Sequence, residues 1–303
     1  MELWPDALET PLHKAVKAGN VQAVENLILD NVQINAKNCF WHTPLHYAAI
    51  GNHVSITNIL LKNGAKIDTK SISLRTPLHE GAYIGNPKIV ELLIEKGAKI
   101  DLQDDSGLTA LHNAVIYKKE SITRILLKNG ANVDGKDWFG RTSLQMTVTS
   151  NSEQIVKNIL EFGANANVIG LDGRPLLIKA IHNRNSCIAE LLIQNGAEID
   201  IKSEFELTAL HLAVLFKDVK SIEMLLRYGA SLKTRDQAGR TPLENSLFKN
   251  YGKLNSFKII SDTNILSFLN KYVAFCFPII YVLSEKYSFS FKIFSVPEFQ
   301  NLD

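Results

Sequence analysis

A tetrapeptide recurs along this chain at a fixed interval, and that interval limits what the chain can fold into. Thr10-Pro11-Leu12-His13, Thr43-Pro44-Leu45-His46, Thr76-Pro77-Leu78-His79, Thr109-Ala110-Leu111-His112 and Thr208-Ala209-Leu210-His211 all fall on one register of 33 residues. Degenerate copies at Thr142-Ser143-Leu144-Gln145, Pro175-Leu176-Leu177-Ile178 and Thr241-Pro242-Leu243-Glu244 fill the remaining steps. Eight starts without an insertion describe a repeat array, in which each unit buries its apolar face only against its neighbours.

A second marker travels with the first. Gly64, Gly97, Gly130, Gly163, Gly196 and Gly229 each lie 21 residues after their repeat's opening and are each followed by alanine, and Asn31 takes that place in the first copy. Each ends an apolar helical stretch, where a left-handed C-cap favours glycine and then asparagine. The third residue of every repeat is leucine, from Leu12 to Leu243, and small residues such as Ala15, Ala48, Gly81, Ala114, Ala180 and Ala213 follow three places on. At helical spacing these share one face. Triplets such as Val24/Leu27/Ile28, Val90/Leu93/Ile94 and Ile222/Leu225/Leu226 mark the buried stripe of a second helix. The unit is therefore a helix pair, and an all-α architecture follows.

The period, the Thr-Pro-Leu-His opening and the Gly-Ala turn together resemble the ankyrin repeat, over about residues 6–260. The resemblance implies an all-α solenoid of antiparallel helix pairs joined by projecting short β-hairpin fingers. It further implies a concave surface, lined by the fingers and first helices, that grips another protein. It gives the histidines a structural role beside the opening threonine, and it makes the hairpin residues Asn35 and Asn167 candidates for hydroxylation. In the sixth copy Pro175 and Ile178 replace Thr and His, so that copy is expected to lose the hydrogen-bonded corner and to be looser. The eighth matches only with two residues inserted near Gly252–Ile260.

Composition narrows the function. Thirty-three basic residues against 31 acidic ones leave a net charge of +2, too little to point to nucleic acid or an anionic membrane. The N-terminus has no basic, apolar leader before the first repeat, so cytoplasmic residence is expected. Cys39, Cys187 and Cys276 are few and far apart, which fits reduced thiols, with Cys187 and Cys276 read as small core residues.

Residues 261–303 lack the period and are rich in Phe and Tyr. A span over Ile265–Leu283 is disfavoured by Asn270, Lys271 and Pro278, so the segment reads as a cap on the last repeat or a docking box. By analogy with ankyrin adaptors, a docking box would recruit ubiquitin-ligase subunits; a third reading makes the chain the soluble arm of a membrane-anchored protein.

No nucleotide loop, nucleophile elbow or zinc-protease motif is present, so no catalytic residue, metal ligand or cofactor is assigned and the chain is not read as an enzyme. His13, His46, His79, His112 and His211 sit one repeat apart, too far to converge on a metal about 2 Å from each ligand. Asp68, Asp101, Asp134 and Asp200 recur at one position and are read as turn residues rather than an acid/base pair.

What remains is a partner surface. Positions four, seven and eight after each opening are expected to face away from the buried leucines, and would be polar if idle. They include Tyr47, Ile50, Tyr83, Ile84, Ile116, Tyr117, Met146, Leu212, Leu215 and Phe216. The fingers add Phe40, Trp41, Trp138, Phe139 and Phe205. Large aromatics dominate interface hot spots. The assigned partner-binding set is therefore Phe40, Trp41, Tyr47, Tyr83, Tyr117, Trp138, Phe139, Met146, Phe205, Leu212 and Phe216, for a role as adaptor or scaffold.

Overall fold

The computed structural model describes residues 9–242, 244 and 245. These form seven helix pairs: α1 (Pro11–Lys17) with α2 (Val21–Leu29), α3 (Pro44–Ile50) with α4 (Val54–Lys62), α5 (Pro77–Ile84) with α6 (Pro87–Glu95), α7 (Ala110–Ile116) with α8 (Glu120–Lys128), α9 (Ser143–Ser150) with α10 (Glu153–Glu161), α11 (Leu176–His182) with α12 (Ser186–Gln194), and α13 (Ala209–Leu215) with α14 (Val219–Arg227). The expected all-α helix-pair array is thus present. Leu243, Cys276, the Gly252–Ile260 match and the tail 261–303 lie outside the described residues.

Contacts group the chain into two units, Met1–Lys179 with Cys187–Ala197, and Ala180–Ser186 with Glu198–Asp303. In the first unit α1, α3, α5, α7 and α9 pack in succession, and α2, α4, α6, α8 and α10 form a second row. In the second unit α13 packs on α14. Among the described residues no helix exceeds nine residues, too short to persist alone in water, so packing rather than propensity holds them. The repeated leucine is buried in every described copy: Leu12, Leu45, Leu78, Leu111, Leu144, Leu177 and Leu210 are each at most 1% exposed. Gly81 lies against Ile89 and Val90, which explains the small residue at that position.

The helix ends follow local chemistry. Gly64, Gly97, Gly130, Gly163, Gly196 and Gly229 have φ between 82° and 90°, and Asn31 has φ 56°. The openings are capped by reciprocal bonds between threonine and the residue three places on, which is His in five copies and Gln145 in the fifth. In the eighth copy Glu244 takes that place, its Oε2 accepting from the Thr241 amide at 2.7 Å. In the sixth copy Ile178 is 1% exposed, so apolar burial replaces the polar corner.

Two expectations are corrected. The segments between helix pairs, residues 33–42, 66–75, 99–108, 132–141, 165–174, 198–207 and 231–240, are the first to seventh fingers, and they are not hairpins of paired strands. Among the described residues only isolated bridges occur, Lys136 with Thr142 and Ile169 with Pro175. In the first, third, fourth and seventh fingers a side chain takes up amides that a ladder would use. Asn38, Asp104, Asp137 and Asp236 are buried, and the Oδ1 of each accepts the amides two and four residues on, as in Asp137 with Phe139 at 3.0 Å and Arg141 at 2.8 Å. Cys187 is only half-buried, because its helix α12 turns it toward a shallow groove beside Glu153, Lys157 and Leu191 instead of the core.

Candidate functional site

Each finger closes with a tight turn whose apex residue, two before the next opening, has positive φ. Successive fingers are tied edge to edge: the amides of Ile72, Asp105 and Trp138 donate to the carbonyls of Phe40, Ser73 and Ser106 at 3.0, 3.1 and 3.3 Å. In the second unit the amide of Gln237 donates to the Phe205 carbonyl at 3.3 Å. Side chains reinforce this. Asp68, Asp101, Asp134 and Asp200 each accept the backbone amide 31 residues on, at 3.0 to 3.1 Å, from Lys99, Asn132, Asn165 and Ser231. Asn35 accepts the Lys66 amide at 2.7 Å and donates to the Gly64 carbonyl, and Asn167 donates to the Gly196 carbonyl. These recurrent residues therefore lock the bases of the first six fingers to the repeat that follows each.

The histidines are committed in the same way. In His13, His46, His79 and His211 the Nδ1 accepts the opening threonine's amide, so Nε2 carries the proton and donates to a carbonyl 29 residues on, at 3.0 to 3.1 Å. The link joins one repeat's first helix to the next finger. Burial holds all five imidazoles below their ordinary pKa, His46 at about 4. His112 makes the weakest version of this link: its Nε2 is buried without a hydrogen bond of normal geometry, although the backbone of Arg141, 29 residues on, still acts on the ring. Among the described residues no three His, Cys, Asp or Glu side chains are grouped to hold a metal ion.

With the scaffold residues assigned, the exposed apolar side chains stand out, and they are concentrated on the fingers. Trp138 is 66% exposed, Phe139 63%, Phe205 58%, Trp41 53% and Phe40 42%. Sequence reasoning missed four more by attending to aromatics: Ile72, Leu74, Ile169 and Leu171 are also exposed. For three the signal was legible, since Ile72 and Leu171 occupy the finger position of Trp138 and Leu74 that of Trp41, whereas Ile169 stands where the other copies have Lys, Gln or Arg. The indole of Trp138 lies over Gly107, the apex of the preceding finger, where any side chain would collide with it.

The first helices are a different case. Tyr117 is exposed, but Tyr47, Tyr83, Met146, Leu212 and Phe216 are only partly so. The expectation that positions four, seven and eight face solvent is corrected here: at position four Glu80 and Asn113 are buried outright, and Glu80 is closed over by His42 and Arg75 of the two preceding fingers. Tyr47 sits 5.9 Å from the His13 ring and 5.7 Å from that of His42, with its hydroxyl accepting from Asn38 Nδ2 at 2.9 Å. Tyr83 meets Tyr117 edge-on at 4.4 Å, with the Arg75 guanidinium 4.9 Å from the Tyr83 ring. Phe216 packs on His182 at 5.6 Å.

Between these tyrosines lies a buried ion cluster. Glu80 Oε1 is 3.3 Å from Arg75 Nε and 3.9 Å from His42 Nε2. Burial pushes the Glu80 carboxyl up, but the adjacent His42 and Arg75 outweigh it and hold its pKa below the ordinary range. The Arg75 Nη2 and His42 Nδ1 are buried without hydrogen-bond partners.

No helix among the described residues is long and apolar enough to cross a membrane. No curated protein matches the chain significantly. A family model described as ankyrin repeats, in three copies, matches residues 4–71, 78–170 and 176–265.

Proposed function

The chain belongs to the ankyrin-repeat family, whose repeats are generally modules for protein–protein interaction, and on that premise we propose that it is a non-enzymatic cytoplasmic adaptor or scaffold that holds a target protein on its fingers. We read the array as eight copies. One observation carries the proposal: large apolar side chains stand exposed on the first, second, fourth and fifth fingers, as Phe40/Trp41, Ile72/Leu74, Trp138/Phe139 and Ile169/Leu171. Exposed apolar groups at recurring positions, on a backbone locked by buried histidine and aspartate bonds, supply what a protein interface needs: rigid anchors with little ordering left to do. In the second unit Phe205 is likewise exposed on the sixth finger. The half-buried Tyr47, Tyr83 and Met146 of the first unit, and separately Leu212 and Phe216 of the second, belong to the first helices and their ends rather than to the anchors. Recruitment of ubiquitin-ligase subunits and membrane anchoring both draw on residues 261–303, outside the described residues, and are not part of the proposal.

The test replaces Tyr117, Trp138 and Phe139 together by alanine and compares captured proteins with those held by the wild-type chain, using quantitative mass spectrometry. All three are exposed, so the melt should stay nearly unchanged while a specific set of captured proteins is lost. An identical captured set removes these residues from the working surface.

A further inference from the structure

The apex of each finger requires a left-handed backbone, and the copies meet that requirement unequally. Gly107, Gly140, Gly173 and Gly239 supply it with φ between 69° and 76°. At the same position Trp41 has φ 60°, Leu74 has φ 55° and Glu206 has φ 55°; Glu206 pairs with Lys202 at 3.1 Å, which leaves Trp41 and Leu74 as the apolar residues at a strained apex. A bulky L-residue at positive φ is strained, because its Cβ crowds the following carbonyl. Such strain is commonly offset by burial of the side chain, yet Trp41 and Leu74 remain exposed. Glycine would serve the fold better at both places. Strained residues that the fold does not need are a mark of function.

The two apices belong to one platform, since the Ile72 amide donates to the Phe40 carbonyl at 3.0 Å. Its rim is basic. The Lys37 ammonium lies 4.9 Å from the Trp41 ring and donates to the Lys70 carbonyl at 3.2 Å, and Lys70 donates in turn to the Gln103 carbonyl at 3.1 Å. The first finger has no carboxylate, and the second has only Asp68, which is already bonded to the Lys99 amide. By contrast the third finger carries Asp104, Asp105 and Gly107.

We propose that Trp41 and Leu74 are the specificity anchors of a platform on the first two fingers that binds a linear partner segment interleaving carboxylates with apolar side chains. The proposal rests on the reading that the fingers bind protein, and it adds the partner's chemistry: apolar side chains seat against the two anchors, and carboxylates meet Lys37 and Lys70.

The experiment selects random linear peptides displayed on phage against the full chain, then measures the enriched peptides on three variants. These are Trp41→Gly/Leu74→Gly, Lys37→Glu/Lys70→Glu and Trp138→Ala/Phe139→Ala. Enriched sequences should interleave Asp or Glu with large apolar residues. They should bind the glycine and charge-reversed variants at least about tenfold more weakly, and weaken further as salt rises. The glycine variant should melt at or above the wild-type temperature, because it relieves two positive-φ side chains. Enrichment of neutral or basic peptides, undiminished binding to the glycine variant, a lower melt of that variant, or no enrichment at all would each overturn the proposal. Acidic or other peptides that lose only the Trp138→Ala/Phe139→Ala variant overturn it too, while leaving the fingers as a protein-binding surface.

Discussion

His46 Nε2 lies 3.1 Å from the carbonyl oxygen of Arg75, and its Nδ1 lies 3.1 Å from the amide of Thr43, so one neutral imidazole joins a helix start to the next finger. Protonating Nδ1 would set two hydrogens against each other. The ring is therefore useful only while neutral, and burial enforces that state.

This geometry predicts acid sensitivity well above the carboxylate range. The His46 pKa falls from 6.5 in the unfolded chain to about 4 when folded. Below pH 6.5 the unfolded chain takes up a proton that the folded one refuses, so stability declines down to about pH 4. The shift corresponds to about 3 kcal/mol at 1.36 kcal/mol per unit. His13, His79, His112 and His211 are lowered in the same direction and add to the loss. His46→Gln should flatten the profile, because Gln145 shows that a glutamine at this place serves without titrating: its Oε1 accepts from the Thr142 amide and its Nε2 donates to another carbonyl of the next finger, that of Ile169, each at 2.7 Å. Urea melts from pH 7.5 to 4 should show a shallower decline in the variant; an unchanged slope refutes the assignment.

Asp134 accepts the Asn165 amide of the following repeat at 3.1 Å. Asp134→Ala should cost about 1 kcal/mol, the net worth of one hydrogen bond at a solvent-exposed site. Asp134→Asn should cost much less, since Asn35 makes the same bond to Lys66 in the first copy. Equal losses in the two variants would show that charge, rather than the acceptor, matters.

The Leu144 side chain is fully buried. Leu144→Ala should destabilise by about 2 to 5 kcal/mol through lost contacts and the cavity left behind. Denaturant melts with a change under about half a kcal/mol would place this leucine off the packed face.

Gly107 and Gly140 share a backbone, with φ 75° and 76°, but only Gly107 is covered, by Trp138. Gly140→Ala should cost about 1 kcal/mol for the left-handed conformation alone. Gly107→Ala should cost more and should shift Trp138 fluorescence, because the methyl group displaces the indole. Matching losses with unaltered fluorescence would mean that Trp138 does not rest on the third finger.

The features legible in advance were those in which every copy sits in the same environment. The buried leucine, the left-handed glycine after the second helix and the Thr-His corner recur from neighbour to neighbour, so a period of 33 residues repeats one local solution. The Asn38, Asp104, Asp137 and Asp236 turns were legible on the same ground and were overlooked.

Exposure was a different matter. Tyr117 and Phe216 share one repeat position, eight after the opening, yet Tyr117 meets the edge of Tyr83 and stays open while Phe216 packs on His182 and is partly buried. Burial depends on what the neighbouring repeats place above a side chain, which a period averages away. The sequence by itself determined the repeat, its helix pairs and its caps, because those bonds run within one copy or to an equivalent atom one copy on. Only the tertiary structure decided that the finger candidates are more exposed than most of those on the first helices and that Trp41 and Leu74 occupy a left-handed apex, because both depend on the packing of non-identical neighbours.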